Sequence, residues 1–298
     1  MNRDKLLSIC IPTYNRASLL DDTLNILFSN PDFNGNEIEV IVSDNCSTDN
    51  TEKVVKKYSS VRYFKNNENI SDFNFSLVLG YAQGKYIRLF NDTFSFKPNA
   101  LGFMLNKIRN HNLEIENLMF FPNSEINKNK STRINSLNSF FYECSFHTTW
   151  TGTIGFWKKD FDKIENKNKY AALHFPQLEW MYSIISNKKE TIIYFEDLFE
   201  VAVTNNKGGY NIFKTFITDY LTIVKEQKLS LFYYEVEKYR LCRYFIFQWL
   251  VILFINNSHY YTFETKGAFR IILKKYWYEP YVYLMLFIFF CRKLKKIF

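Results

Sequence analysis

Residues 6–16 read LLSICIPTYNR, an apolar run over 6–11 stopped by Pro12 and followed at once by the polar residues Thr13, Tyr14, Asn15 and Arg16. A half-buried strand alternates apolar and polar residues. A run interrupted only by Ser8 therefore reads as a strand covered on both faces. The pattern recurs. IEVIV at 38–42 leads into the polar loop 43–50, VRYF at 61–64 forms a third strand, and KYIRLF at 85–90 leads into Asn91-Asp92-Thr93. Helix signals lie between these strands. Ser18 is a candidate cap for a helix over 19–29, with Leu20, Leu24 and Leu27 on one stripe and Asp21 and Asp22 in its first turn. Asp49 or Ser47 is placed to cap a helix over 51–58, and a further helix spans 73–82, ending near Gly84.

Strand–helix alternation at this spacing predicts an α/β domain built on a doubly wound parallel sheet. In such a sheet the strands end on one edge, where ligands bind. The loops 12–16, 43–49 and 91–93 all follow strand ends and so converge there. Asp44 and Asp49, with the hydroxyls beside them, suit acceptance from a base N–H or a ribose hydroxyl. They suit equally an Asx-turn and a helix cap. Asn91-Asp92-Thr93 is a hard-metal ligand set for Mg²⁺ or Mn²⁺, which take one or two protein carboxylates plus phosphate oxygens, or else a solvated turn.

Further on, the sequence predicts a helix over 98–110, a strand over 118–121, a surface loop over 122–139 and a strand over 150–157 with glycine-permitted close approach. A charged, turn-like stretch (158–169), a helix over 171–185 interrupted near Pro176, and a strand over 191–195 follow. Beyond about 209 glycine is rare and aromatic-aliphatic helical stretches dominate.

The five cysteines are widely spaced, with no CxxC pair, so neither a disulfide framework nor a zinc cluster is expected; most read as small buried hydrophobes in a reducing compartment. The amino-terminal apolar run is too short for a signal peptide. No stretch reaches the roughly 18–20 apolar residues of a spanning helix. The net charge of +8 favours anionic partners. The bases scatter or cluster at the tail rather than interleave with aromatics in one patch, so a nucleic-acid role is not expected.

IPTYNR at 11–16, SDNCSTDNT at 43–51 and AQGKYIRLFNDT at 82–93, followed by a proline-started helix, resemble glycosyltransferase family 2 in motif and order. The similarity is strongest to the branch containing abequosyltransferase-like and other surface-polysaccharide enzymes. It covers about residues 5–105, and 145–200 more faintly. The resemblance implies a GT-A type nucleotide-binding sheet with flanking helices over 1–208. Residues 1–97 would form the nucleotide-sugar-binding half and 98–208 the acceptor-binding half. A mainly helical region over 209–298 follows. It further implies inverting, metal-dependent transfer from a nucleotide-sugar, most commonly UDP-linked, to a saccharide or lipid-linked saccharide acceptor, in bacterial cell-surface polysaccharide biosynthesis.

Carried onto this sequence, the resemblance puts Pro12, Thr13, Tyr14, Arg16, Asp44, Asn45, Ser47, Asp49, Asn69 and Asn91 at the donor. Thr13 and Tyr14 form the wall against the base, and Asp44 reads the base. Ser47 and Asp49 stand between nucleotide contact and helix cap, and Arg16 supports the loop or approaches phosphate. Asp92 is the Mn²⁺- or Mg²⁺-binding member of a DxD-like motif. Glu179 is the expected general base, with Asp160, Asp162 and Asp197 as rivals. His147 and His174 read as packing or surface residues. Two departures stand out: Asn91-Asp92-Thr93 has a single carboxylate, and Ile70-Ser71 stands where a glycine is common. The first keeps a catalytically weak scaffold as an alternative. A nucleotidyltransferase is the enzyme alternative, although no glycine-rich phosphate loop follows the first strand.

FIFQWLVILFI at 245–255 and YVYLMLFIFFC at 281–291 are apolar nearly all round, and the second ends in Arg292, Lys293, Lys295 and Lys296. Together they read as a peripheral contact with the anionic inner face of the cell membrane. The alternatives are a helical subdomain closed on itself and a dimer interface; the oligomeric state stays open.

Overall fold

Strand β1 (Leu7–Thr13) is buried along almost its whole length, as its largely apolar run requires, and lies at the centre of a five-stranded sheet. The computed structural model describes residues 5–112, 114–122, 131–202, 207–256 and 260–296. β1 pairs in parallel with β2 (Ile38–Asp44) on one side and with β4 (Tyr86–Leu89) on the other, and β2 pairs in parallel with β3 (Val61–Lys65). The order is β3-β2-β1-β4-β8, and β8 (Gly155–Trp157) closes the edge antiparallel to β4. This is the expected α/β arrangement, and the four parallel strands end on one edge.

Pro12 does not stop β1. Cys10 accepts from Phe90 N–H on the β4 side, and Thr13 accepts from Asn45 N–H on the β2 side. By alternation Pro12 faces the β4 side, beyond the last β1–β4 pair, Cys10 with Leu89, so its missing N–H removes no ladder bond.

Helix α1 (Ala17–Phe28) buries Leu20, Leu24 and Leu27 as the stripe predicts. It starts earlier than expected, and Ser18 does not cap it. Asp49 does: its Oδ2 accepts from Ala17 N–H at 3.0 Å, while its Oδ1 accepts from the N–H and hydroxyl of Thr51 at the start of α2 (Thr51–Val55). One carboxylate thus starts two helices. Helix α3 is Phe73–Gly80; the two-residue-spaced Phe94 and Phe96 of β5 (Phe94–Phe96) are buried, and α4 (Ala100–Asn110) buries Leu101, Met104, Leu105 and Ile108. A second sheet has the order β6-β9-β7, from β6 (Glu116–Phe121), β7 (Ser131–Ile134) and β9 (Glu190–Phe195); β10 (Phe199–Val201) pairs antiparallel with β5.

Four local expectations are corrected. Of the loop expected over 122–139, residues 123–130 lie outside the described residues; 131–134 form β7, and α5 (Leu137–Cys144) starts at 137. The strand expected over 150–157 is confined to β8. It is preceded by a 3₁₀ turn, Thr151–Thr153, whose Thr153 hydroxyl donates to the Trp150 carbonyl at 2.8 Å. Gly155 does permit the close approach: a Cβ there would lie 2.7 Å from the Tyr86 hydroxyl oxygen. The charged stretch at 158–169 opens with a short helix, α6 (Lys158–Asp162), and Pro176 starts rather than interrupts α7 (Pro176–Asn187), where its missing N–H costs nothing.

The chain divides into two units, Met1–Ser136 with His147–Val203, and Leu137–Phe146 with Thr204–Phe298. Residues 137–146, which the sequence places with the first domain, belong to the second unit. That unit is mainly helical. A π-helical segment Lys214–Tyr220 runs into α8 (Leu221–Glu226), and α9 (Leu231–Arg240) continues through a π-helical segment Leu241–Ile246 into α10 (Phe247–Phe254). A short parallel pair, β11 (Lys207–Gly208) with β12 (Tyr261–Thr262), precedes α11 (Ala268–Tyr276) and α12 (Pro280–Lys295). Lys238, wholly buried, binds Glu235, Glu279 and the Tyr278 hydroxyl, so α9 holds the α11–α12 turn. Cys10, Cys144 and Cys242 are buried and Cys46 and Cys291 half-buried, all of them free thiols.

Candidate active site

The parallel register carries the ends of β1, β2 and β4 to one edge, and the polar loops that follow them lock together by side chains. Thr13, the last residue of β1, donates its hydroxyl to Asp92 Oδ2 at 2.8 Å, and Arg16 Nη1 reaches Asp92 Oδ1 at 2.8 Å. The Asp92 carbonyl accepts from the Thr23 hydroxyl of α1 at 2.9 Å. Asp92 is buried, whereas the Arg16 side chain is 46% exposed. Burial raises the Asp92 carboxyl above the usual range, while the Arg16 guanidinium and the Thr13 hydroxyl pull it back down.

The β2 loop is fixed in the same way. Asp44 is wholly buried and accepts from the Tyr63 hydroxyl at 2.6 Å and from Ser47 N–H at 2.7 Å. Burial, then the Asp44 carboxylate, push the Tyr63 phenol well up. Ser47 Oγ accepts from Asn15 N–H at 2.8 Å, and Asn15 Oδ1 accepts from Thr48 N–H at 2.8 Å, so the β1 and β2 loops are laced together. Asn15 takes a left-handed backbone, φ 50°, one that asparagine tolerates better than most residues. Asn45 Nδ2 donates to Asn69 Oδ1 at 2.7 Å, and Asn45 Oδ1 accepts from Asn66 Nδ2 and Ile70 N–H, joining the loop after β3. Beneath it, the Asn74 amide donates to the Ser43 carbonyl and accepts from its hydroxyl.

Of the expected donor residues, Pro12 and Thr13 end β1; Arg16 and Asp92 meet in one ion pair; Asn45 and Asn69 meet in one hydrogen bond; and Asn91 carries the backbone carbonyl that Phe94 N–H turns back onto. Tyr14 is 42% exposed, its ring free to face a ligand. Asp49 has both oxygens engaged at helix starts. Burial raises its carboxyl, but the hydrogen bonds from Thr51 and Ala17 outweigh this and hold it below the usual range. Asn15, Thr23, Tyr63, Asn66 and Asn74 escaped sequence reasoning. Only Asn15, inside the IPTYNR motif, carried a local signal.

Glu179 lies in the first turn of α7, one-fifth exposed, with Lys169 Nζ at 3.2 Å. Among its rivals, Asp160 is buried against Lys188 at 2.9 Å, and Asp162 accepts from Lys158. His174 Nδ1 stands 3.3 Å from Asp72 Oδ2. A groove of about 860 Å³ runs along the flank of α3 from Glu68 and Asn69 to Tyr81 and across to Lys167 and Asn168. Asn69 is the one expected donor residue in its lining.

The donor set does not fit a protein-held divalent cation. Both Asp92 oxygens are occupied, one by a guanidinium whose charge repels a second cation. Asp92 is also the lone carboxylate of Asn91-Asp92-Thr93. Arg16 places a positive charge beside Asp92 at this edge.

Two relatives each match about a third of the chain. Abequosyltransferase RfbV of Salmonella typhimurium is 33% identical over 105 residues, 33% of this chain and 31% of the relative. A GalNAc(5)-diNAcBac-PP-undecaprenol beta-1,3-glucosyltransferase of Campylobacter jejuni is 30% identical over 107 residues, 34% of each chain. The matches span about a third of the length of these relatives. The structure of Staphylococcus aureus TarS in complex with UDP-GlcNAc superposes with a TM-score of 0.56 at 19% identity, covering 76% of this chain and 68% of that one, a likeness of fold. The profile of Glycosyl transferase family 2 matches residues 8–176, the stretch that holds every strand of the central sheet, the interlocked loops and the start of α7, and the chain belongs to that family.

Proposed function

We propose that the chain is an inverting glycosyltransferase that moves a sugar from a UDP-linked donor to a saccharide acceptor carried on lipid, in the assembly of bacterial cell-surface polysaccharide. The observation that carries the reading is the locked edge at the ends of β1, β2 and β4. There a free tyrosine ring, Tyr14, and a half-exposed guanidinium, Arg16, stand over a buried hydrogen-bonded floor. Such an edge is where α/β sheets hold nucleotides. Family membership supplies the reaction class. The likeness to TarS with UDP-GlcNAc supports the nucleotide, and the Campylobacter relative, named for an undecaprenol-linked acceptor, supports the lipid carrier. Nucleotide-sugars are cytoplasmic metabolites, so this reading puts the enzyme on the cytoplasmic side of the cell membrane.

In this reading the base rests against Thr13 and Tyr14 above Asp44, and the diphosphate meets Arg16. Asp92 holds Arg16 in place and keeps it from collapsing onto the loop. The acceptor hydroxyl attacks the anomeric carbon from the face opposite the diphosphate. A new C–O bond forms as the bond to the β-phosphate oxygen breaks, and UDP leaves with the electron pair. The hydroxyl proton passes to a carboxylate, for which Glu179 is the proposed base. The resemblance implies a divalent metal, but the residues here do not fit one. Charge on the departing UDP is assigned to Arg16 and to backbone donors of the interlocked loops. A catalytically weak scaffold is the second reading, favoured by the lone carboxylate at the metal motif.

The test is calorimetric titration of the full chain with UDP, GDP, CDP and dTDP, in Mn²⁺ and in EDTA, followed by donor hydrolysis with the nucleotide that binds. Binding of UDP with slow sugar release supports the enzyme. A folded protein that binds none of the four leaves only the scaffold.

A further inference from the structure

Helix α12 is apolar on two opposite faces. Val282, Met285 and Phe289 are buried, as a helix packed on its own unit requires. On the other side Tyr283, Leu284, Phe287, Phe290 and Leu294 are 48–66% exposed and recur three or four residues apart, forming a stripe about 17 Å long. Contiguous exposed apolar surface of this kind marks an interaction face. Ring contacts of Phe269 with Phe289 and Phe290, and of Tyr276 with Tyr281, show that α11 and α12 form an antiparallel hairpin. Its turn presents Trp277, 66% exposed, and its open end presents Arg270, Arg292, Lys293, Lys295 and Lys296, all exposed. Across 268–296 the one carboxylate is Glu279, and Lys238 already binds it. Among the described residues no helix is long and apolar enough to cross a membrane.

We infer that this hairpin is a docking surface for an anionic lipid bilayer. The α12 stripe lies in the acyl–headgroup boundary, Trp277 and Tyr283 sit at headgroup level, and the basic end meets lipid phosphate. Charge complementarity selects this occupant: a second copy offers no free carboxylate on the hairpin to answer six exposed bases, Lys274 of α11 among them, whereas an anionic leaflet does. The inference rests on the lipid-carried acceptor for its biological sense, and deepens that reading by naming the surface that brings the enzyme to its substrate.

The experiment is sedimentation of the full chain with phosphatidylcholine vesicles, with and without phosphatidylglycerol, alongside UDP titration of the same preparations. The expected result is salt-sensitive binding to the anionic vesicles. It falls about tenfold in Leu284→Ser/Phe287→Ser and in Lys293→Glu/Lys295→Glu, while UDP binding is unchanged. All four residues are exposed, so folding is spared. Equal binding to neutral vesicles, or undiminished binding by the charge-reversed variant, overturns the inference. So does the absence of vesicle binding, with or without a concentration-dependent dimer that Leu284→Ser/Phe287→Ser abolishes. UDP binding reports separately on the donor site, so loss of the one reading is not mistaken for loss of the other.

Discussion

Asp92→Asn separates the two roles open to Asp92. In the structure its carboxylate accepts from Thr13 and Arg16, each at 2.8 Å, while its peptide oxygen holds Thr23 and is untouched by the substitution. Asparagine keeps an oxygen for Thr13 but turns an N–H₂ group toward Arg16, so two donors face each other. A hydrogen bond to a charged group contributes about 1.5–3 kcal/mol. Arg16 is nearly half-exposed and can turn to water, and the variant no longer desolvates a carboxylate. Both effects shrink the loss, leaving about 1–2 kcal/mol. For a unit of this size the melting temperature falls by about 3–6 °C. UDP affinity falls about tenfold because Arg16 is no longer held toward the diphosphate. The assay is differential scanning calorimetry with UDP titration in Mn²⁺ and in EDTA. Wild-type binding should be the same in both. A wild-type affinity that rises steeply with Mn²⁺, lost in Asp92→Asn without change in melting temperature, would refute the ion-pair argument and restore Asp92 as a metal ligand.

Two other substitutions have defined outcomes. Glu179→Gln is expected to lower turnover sharply with UDP affinity unchanged; unaltered turnover removes Glu179 from the mechanism. Burial raises the Glu237 carboxyl to about 7, against the opposing pull of Tyr220, Ser145 and Arg240. An acid whose folded-state pKa lies above its unfolded value binds its proton more tightly when folded, so its contribution to stability is lost as pH rises from about 4.5 to 7. Glu237→Gln keeps an acceptor for the Tyr220 hydroxyl and should exceed wild type at pH 8 by up to about 3 kcal/mol, the gap closing toward pH 4. Melting curves across that range check it; parallel curves for the two proteins would exclude the buried acid as the cause.

Much of the candidate site was legible because its parts are local. A strand stopped into PTYNR, a second into SDNCSTD and a third into NDT each show in a few consecutive residues, and parallel alternation alone brings them to one edge. What each residue does there was less legible. Asp49 or Ser47 read as the cap of the helix that follows, and it is Asp49 that accepts from the first helical N–H, at Thr51; that its second oxygen starts α1, 32 residues earlier, depends on how closely the β1 and β2 loops approach. Tyr63 read only as a strand residue, yet β3 lies beside β2 and brings its hydroxyl to Asp44. The 150–157 stretch misled because its threonines and aromatics favour strands, while the Thr153 hydroxyl, bonding back to Trp150, closes a turn instead.

The sequence by itself determined the α/β sheet, the edge on which its polar loops converge, the family and the aromatic, basic tail, because hydrophobic period, turn chemistry and motif order are all written within short windows. Only the tertiary structure decided that Asp92 pairs with Arg16, that residues 137–146 join the second unit, and that α12 buries one apolar face and exposes the other. Each is a choice between partners far apart in the chain. A helix apolar all round has no period from which to read the covered side, and a carboxylate at a strand end carries no local mark of the cation 76 residues away that will claim it.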